Sequence, residues 1–323
     1  MPVLLIAATA PRSGKSALAA AIVQRFAYQG RRVLALRLGA GGDPGAAADA
    51  EFFATLPGAR GRGGAPIPAG GALNEIQQLA GDGVAVIEAD AGADVAALAT
   101  ALDAPTLLVQ RGAPDEDATL SLQNLALALD ARLLGVILVG VPASQLPAAS
   151  TAMDEAALPL LGALPEDRLL AAPTIGELAA FLPAEVLLGE EEQDLVLEEM
   201  MINPISADPG QPYYARRRNK VVITRSDKTD TQLAALASNT DCLLLTGGLL
   251  PSPYTLDRAA NEEVAVLLTR ADTRQTVRKL EGIFAATRFA SERKLERMSH
   301  LLEGRIDWQP IDEALHVAGA SAR

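Results

Sequence analysis

Three adjacent residues near the start of the chain, Gly14, Lys15 and Ser16, have the types and spacing to hold a phosphate. They close the loop Thr9-Ala10-Pro11-Arg12-Ser13-Gly14-Lys15-Ser16, which follows an apolar run of strand length from Val3 to Ala8. A helical pattern through Leu18, Ile22, Val23 and Phe26 comes next. Strand, tight loop and helix in that order are the setting of a phosphate-binding P-loop. The first turn of a helix has N–H groups without partners and carries the positive end of the helix dipole, so an anion is stabilised there. Lys15 adds a full positive charge beside the outer phosphates, and Ser16 offers its hydroxyl to Mg²⁺. The strict pattern has glycine where this chain has Thr9. The competing reading is a relic loop whose lysine is solvated.

A bound Mg²⁺ needs hard oxygen ligands. Val84 to Ile87 reads as a buried strand that runs into Glu88-Ala89-Asp90. Acidic residues at the carboxyl end of a parallel strand lie where open α/β sheets bind ligands. Either Glu88 or Asp90 can hold the metal, directly or through water, and Asp90 can instead cap a helix beginning near Ala91.

Composition removes other chemistries. The chain has 323 residues, a formal charge of −12 and only 3% aromatics, with a pI near 4.7. An acidic chain with few aromatics lacks the basic face and stacking surfaces of a general nucleic-acid binder. Arg216-Arg217-Arg218 with Lys220 is a local exception and reads as a solvated basic turn. A single cysteine, Cys242, in an apolar run excludes an internal disulfide and a multi-cysteine zinc site, and reads as a buried, inert thiol. His300 and His316 have no partner at metal-binding spacing. No run approaches the ~20 apolar residues of a membrane span, and no basic leader precedes the first strand. A soluble, cytoplasmic protein without membrane or nucleic-acid partners is expected.

The elements that must position these residues alternate between strand and helix. Val33 to Arg37 is a second strand, and Ala46 to Phe53 a helix carrying Asp49. Gly58 to Gly71 is rich in Gly, Pro, Arg and Ala and reads as a long loop. Thr106 to Val109, Leu134 to Val139 and Leu158 to Leu161 are further strands, with a helix from Asp117 to Ala131. Continuous apolar strands in this alternation predict an α/β fold with a parallel sheet covered on both faces. A charged stretch around Glu190-Glu191-Glu192 reads as a connector. A second, smaller α/β pattern follows it, with strands at Val221 to Thr224, Cys242 to Leu245 and Val264 to Leu268. The expected domains are 1–185 and 195–312, with a disordered tail over 313–323. Gly247-Gly248 reads as a sharp turn joining strand to helix, with an anion cradle aided by Lys228 and Thr229 as the alternative. Asp227 or Ser226 is the expected N-cap of the helix from Thr229. Leu301-Leu302 reads as core or as a docking face.

On these motifs the first domain resembles the dethiobiotin synthetase group of P-loop proteins. The resemblance covers the loop from Ala8 to Ser16, Asp49 where that family has an Asp for Mg²⁺, and Glu88 where it has an acidic residue after the central strand. Arg37 stands where those enzymes carry a lysine, which implies a phosphate contact with a planar guanidinium in place of an ammonium. Val139 stands where many have an adenine-reading asparagine, and no counterpart of their Ser-Pro-His stretch lies between Pro66 and Ile76. The second domain resembles the DRTGG domain through Ser226-Asp227-Lys228-Thr229-Asp230 and Leu245-Thr246-Gly247-Gly248. This order of domains is that of the N-terminal half of long bacterial phosphotransacetylases, whose acetyl-transfer domain would follow where this chain ends.

The resemblance implies a nucleotide-binding regulatory or scaffold protein that takes ATP or a related nucleotide with Mg²⁺. Thr9, Arg12, Ser13, Gly14, Lys15, Ser16 and Arg37 would bind the nucleotide, and Ser16, Asp49 and Glu88 the metal. Self-association or a protein partner is expected through the second domain, and acetyl transfer is not expected of this chain. The alternatives are an ATP-dependent ligase or phosphoryl-transfer enzyme, and a structural subunit whose loop binds nothing.

Overall fold

The computed structural model describes residues 2–38, 44–61, 83–90, 93–202 and 216–316. The chain divides into two compact units, one of Met1–Asp167 with Lys294–Arg323 and one of Arg168–Arg293. The second unit is therefore an insertion in the sequence of the first.

The first unit holds seven strands, β1 (Val3–Ala7), β2 (Val33–Arg37), β3 (Ala59–Gly61), β4 (Val84–Glu88), β5 (Thr106–Arg111), β6 (Leu133–Val141) and β7 (Leu160–Pro165). Its sheet has the order β3-β2-β4-β1-β5-β6-β7, and every pairing is parallel. Between the strands lie helices α1 (Lys15–Tyr28), α2 (Pro44–Thr55), α3 (Val95–Ala101), α4 (Glu116–Leu129) and α5 (Leu146–Glu155). β1, β2 and β4 are buried at every position, as a sheet covered on both faces requires. On one face Leu5, Ile87, Leu108 and Leu138 pack with Leu98, Leu122 and Met153 of α3, α4 and α5. The alternate residues Leu4, Ile6, Val86 and Leu107 are buried on the other. The chain crosses from β1 to β2 on one side and later adds β5 on the other, so the order reverses beside β1. The carboxyl end of β1 is thus the switch point where such sheets take ligands.

Two elements here differ from expectation. β3 is a short parallel edge strand at the start of the glycine-rich stretch, the rest of which, 62–71, lies outside the described residues. α5 has no counterpart in the sequence reading, and its early proline, Pro147, sits in the first turn, where the missing N–H costs nothing.

The second unit has strands β8 (Glu185–Leu188), β9 (Glu199–Ile202), β10 (Lys220–Arg225), β11 (Cys242–Thr246) and β12 (Ala265–Thr269) in the order β8-β12-β11-β10-β9. β8 is antiparallel to β12 and the other pairings are parallel. Helices α6 (Arg168–Ala171), α7 (Ile175–Phe181), α8 (Thr229–Leu236), α9 (Pro253–Asn261), α10 (Thr273–Leu280) and α11 (Ile283–Ala286) complete it. Val221, Leu244 and Leu267 face Ile175, Leu280 and Ile283, while Val222, Leu245 and Val266 face Ala235 and Ala259. The expected α/β class, a parallel sheet flanked by helices and a second smaller α/β domain, is the one observed.

The boundaries differ from 1–185 and 195–312 for a physical reason at each end. The acidic run Glu190-Glu191-Glu192 forms the turn after β8, a strand paired to β12, so it lies inside the second unit. Helices α12 (Glu292–Leu302) and α13 (Gln309–His316) carry the chain back to the first unit. There Ile306 bridges Gly162 on the β7 edge, and Asp307 N donates to Leu161 O at 2.7 Å. Helix α13 continues to His316 with Leu315 buried, and 317–323 lie outside the described residues. Leu301 and Leu302 are core. Among the described residues no helix is long and apolar enough to cross a membrane.

Candidate functional site

The loop after β1 is held in place by its own backbone and by β5 and β6. Arg12 and Gly14 have φ of 54° and 93°, both left-handed, and Gly14 is the N-cap of α1. A Cβ on Gly14 would stand 3.1 Å from Val139 Cγ1 of β6, so the glycine serves both the turn and the close approach. Val139 thus buttresses the loop. Arg111, the last residue of β5, donates from Nη1 to Arg12 O at 3.3 Å. Thr9 is half-buried, Arg12 exposed, and Ser13 buried with its hydroxyl unpartnered. Lys15 is buried, and burial lowers its pKa from the ordinary lysine value while the nearby Glu88 carboxylate opposes that.

Three oxygen-bearing side chains from three elements converge behind it. Ser16 Oγ in the first turn of α1 lies 3.1 Å from Asp49 Oδ2 of α2 and 3.1 Å from Glu88 Oε1 at the end of β4. One hydroxyl has one proton, so it donates to one carboxylate at a time. Glu88 is buried with its second oxygen, Oε2, bonded to nothing. Burial raises its pKa to about 7 against the pull of Arg37, and Asp49 adds to the rise. The site thus gathers two carboxylates and a hydroxyl, with Glu88 Oε2 unbonded. A hard divalent cation suits this donor set of two carboxylates and a hydroxyl.

Arg37, expected at a phosphate, is held by carboxylates at the end of β4. β2 and β4 pair in register, which sets Arg37 beside Glu88. Its Nη1 donates to Glu88 Oε1 at 2.5 Å and to Ala89 O at 3.2 Å, and Nη2 to Asp90 Oδ1 at 3.2 Å. Asp90 is therefore an ion-pair partner. The N-cap of α3 is Asp94, whose carboxylate accepts from Ala97 N at 3.0 Å.

The two motif clusters of the second unit meet at the carboxyl ends of β10 and β11, but their donors are already engaged. Gly247 N donates to Ala271 O at 2.9 Å, Gly248 N to Thr269 O at 3.0 Å and Leu249 N to Ser226 Oγ at 3.3 Å. Gly247-Gly248, with φ of 98° and 72°, is a turn whose N–H groups are not free to cradle an anion. Asp227 is not a cap: it accepts from Arg225 Nε and Nη2 at 2.8 and 2.5 Å. Lys228 occupies the N-cap position of α8 without a side-chain bond. The residue that ties the first motif loop to helix α9 was missed by sequence reasoning. Buried Gln232 donates to Arg225 O and Ser226 O at 2.8 and 2.9 Å and accepts from Thr255 Oγ1 at 3.0 Å. A glutamine inside a helical pattern gives no signal of such a role. Lys220, expected in a solvated basic turn, is also buried, its ammonium donating to Arg217 O, Ser238 O and Asn239 O at 3.0, 2.6 and 2.5 Å.

Comparison with known proteins adds the following. The DRTGG domain model matches residues 177–283, so a DRTGG domain is present in the second unit. A phosphate acetyltransferase of Nitratidesulfovibrio vulgaris is 26% identical over 162 residues, which is 47% of this chain and 23% of that enzyme. The chain thus spans under a quarter of the length of that relative. Among solved structures, the septum site-determining protein MinD of Pyrococcus horikoshii, complexed with Mg-ADP, aligns at 20% identity with a TM-score of 0.39. That alignment covers 52% of this chain and 83% of MinD. The CBS and DRTGG domains of Clostridium perfringens pyrophosphatase, complexed with diadenosine tetraphosphate, align at 16% identity with a TM-score of 0.31, over 42% of this chain and 68% of theirs.

Proposed function

We propose that the first unit binds a nucleoside triphosphate, ATP by the resemblance of its loop, together with Mg²⁺, and that the whole chain is a nucleotide-responsive regulatory or scaffold protein. One observation carries the reading: Ser16 Oγ sits between the carboxylates of Asp49 and Glu88 in the first turn of a helix that opens with a buried lysine. Buried polar groups are normally bonded, and Glu88 Oε2 is not. Ser16, Asp49 and Glu88 would hold the metal, which would supply charge neutralisation for the outer phosphates. Lys15 binds the same phosphates from the loop side. The N–H groups of the loop and the first turn of α1 orient the phosphate chain, and Ser13 offers its unpartnered hydroxyl. Val139 of β6, packed against the loop, provides no hydrogen bond to a base, so selection among bases is weak.

The second unit serves self-association or docking of a protein partner. Leu249, Leu250 and Tyr254 support this, standing exposed together on the turn after β11 and the start of α9. The 26% identity to a phosphate acetyltransferase supports a role beside acetyl transfer.

Titration calorimetry with ATP, GTP and a non-hydrolysable analogue, with and without Mg²⁺, tests the nucleotide reading. Micromolar binding of ATP that requires Mg²⁺ and is lost in Lys15→Ala is expected. No heat from any nucleotide, with the protein folded, would overturn it and leave the relic-loop reading.

A further inference from the structure

The unused valence of the carboxylate site and the position of Arg37 belong together. Glu88 Oε1 accepts from Arg37 Nη1 and lies within hydrogen-bond reach of Ser16 Oγ, while Oε2 accepts from nothing. The guanidinium bridges Glu88 to Asp90 and to Ala89 O, all at the carboxyl end of β4, and is itself buried. Its Nε has no partner. A guanidinium held by buried carboxylates loses little by staying, because the alternative is an uncompensated buried charge.

We propose that Arg37 is a resident counter-ion that closes the divalent-cation seat at Glu88 until nucleotide arrives, so that metal and nucleotide enter together. This rests on the reading of the first unit as a Mg-nucleotide site. The charges explain the coupling. Lys15 and Arg37 face Asp49, Glu88 and Asp90, a formal balance of minus one that is too small to draw a divalent ion away from water. A triphosphate brings the missing negative charge. It also gives the guanidinium, with five N–H donors in a planar fork, a second set of oxygens to turn to when the metal takes Glu88. Arg37 thus has one partner set before nucleotide binds and another after. A lysine there would close the seat less well, since its ammonium is a single point donor.

The test uses the full chain and Mn²⁺ followed by electron paramagnetic resonance, with and without ATP. Wild type is expected to bind Mn²⁺ at least about tenfold more tightly with ATP than without, a coupling of ordinary size. Arg37→Met is expected to bind Mn²⁺ without nucleotide about tenfold more tightly than wild type, with the ATP effect correspondingly reduced. Because a lone buried Glu88 can unfold the unit, circular dichroism is recorded on every variant. Arg37→Lys, which keeps a cation, is the second variant and is expected to fall between wild type and Arg37→Met. Unchanged nucleotide-free Mn²⁺ affinity in folded Arg37→Met, or in folded Arg37→Lys should the first variant not fold, overturns the proposal. If ATP still promotes Mn²⁺ binding in that variant as in wild type, the nucleotide reading stands and only the counter-ion role falls. No Mn²⁺ binding by wild type even with ATP overturns both.

Discussion

At the scale of single residues, burial decides which groups react and which only support. Cys242 lies in the middle of a core face, and burial with Asp241 beside it pushes its thiol far above the ordinary range. The thiolate is the nucleophile, so the folded protein should not react with a disulfide reagent at pH 8, whereas urea should release one equivalent of thiol. Rapid labelling of the native chain would contradict the placement. Lys220 is the opposite case, a buried ammonium whose three carbonyl partners use all its protons. Burial lowers its pKa, and the Asp241 carboxylate opposes that. Lys220→Met should destabilise the second unit by about 3 kcal/mol, since it leaves several buried acceptors unmade at roughly 1–3 kcal/mol each. The only tryptophan, Trp308, is in the first unit. Urea unfolding followed by circular dichroism should therefore shift for this variant while that followed by Trp308 emission does not. The buried cysteine was legible in its apolar run. The lysine was not, because it follows a run of arginines and two of its three acceptors lie eighteen and nineteen residues away.

At the scale of elements, helix α1 joins the candidate site to the returning end of the chain. Its first turn carries Lys15 and Ser16, and its last turn carries Arg25. Arg25 pairs with both oxygens of Asp312 at 2.9 and 3.1 Å and lies 4.1 Å from the centroid of the Trp308 ring. Gln24 accepts from Ser299 Oγ at 2.5 Å, and Arg31 donates to Leu315 O at 3.2 Å. The Arg25–Asp312 pair is about three-tenths exposed on each side, so solvent screening holds it to about 1 kcal/mol, and the cation–π contact adds about as much. Arg25→Ala should therefore cost about 1–2 kcal/mol and move Trp308 emission to the red. Unchanged emission would mean that Trp308 does not rest on Arg25. Gly14→Ala puts a side chain at φ 93° and 3.1 Å from Val139, and should weaken nucleotide binding at least tenfold by calorimetry while leaving the helix formed. Strand, loop and helix at the start of the chain were readable because the strand is a continuous apolar run and the helix keeps its period. The clasp on α1 was not, since local pattern says nothing about contacts nearly three hundred residues apart. The ion pair of Arg37 with Glu88 was hidden for the same reason: strand register decides it.

At the scale of the molecule, the second unit leaves and re-enters the first at neighbouring points. Asp167, the last residue before the insertion, accepts from Arg297 Nε at 2.7 Å, three residues after the chain returns at Lys294. The returning segment then lies along the β7 edge through the Gly162 and Ile306 bridge, where a side chain on Gly162 would meet Arg305 O at 2.3 Å. A connector read as a boundary by its acidic composition thus proved to be an internal turn, because composition reports solvation and not which sheet a strand joins. The insertion makes a prediction that a simple tandem of domains does not. Replacing residues 168–293 by a short Gly-Ser linker should leave the first unit folded, with Trp308 emission as in the full chain and Mg-dependent nucleotide binding within about threefold, because none of the candidate ligands lies in the excised part. Ending the chain after Arg293 should instead remove Asp312, Trp308 and the β7 strap together, and the first unit should lose several kcal/mol, since Leu295, Met298, Leu301, Leu302 and Ile311 are buried and each is worth roughly 1.5–3 kcal/mol before entropy is subtracted. Urea midpoints of the two proteins, read against the full chain, decide between insertion and tandem: a tandem would tolerate the truncation and gain nothing from the linker.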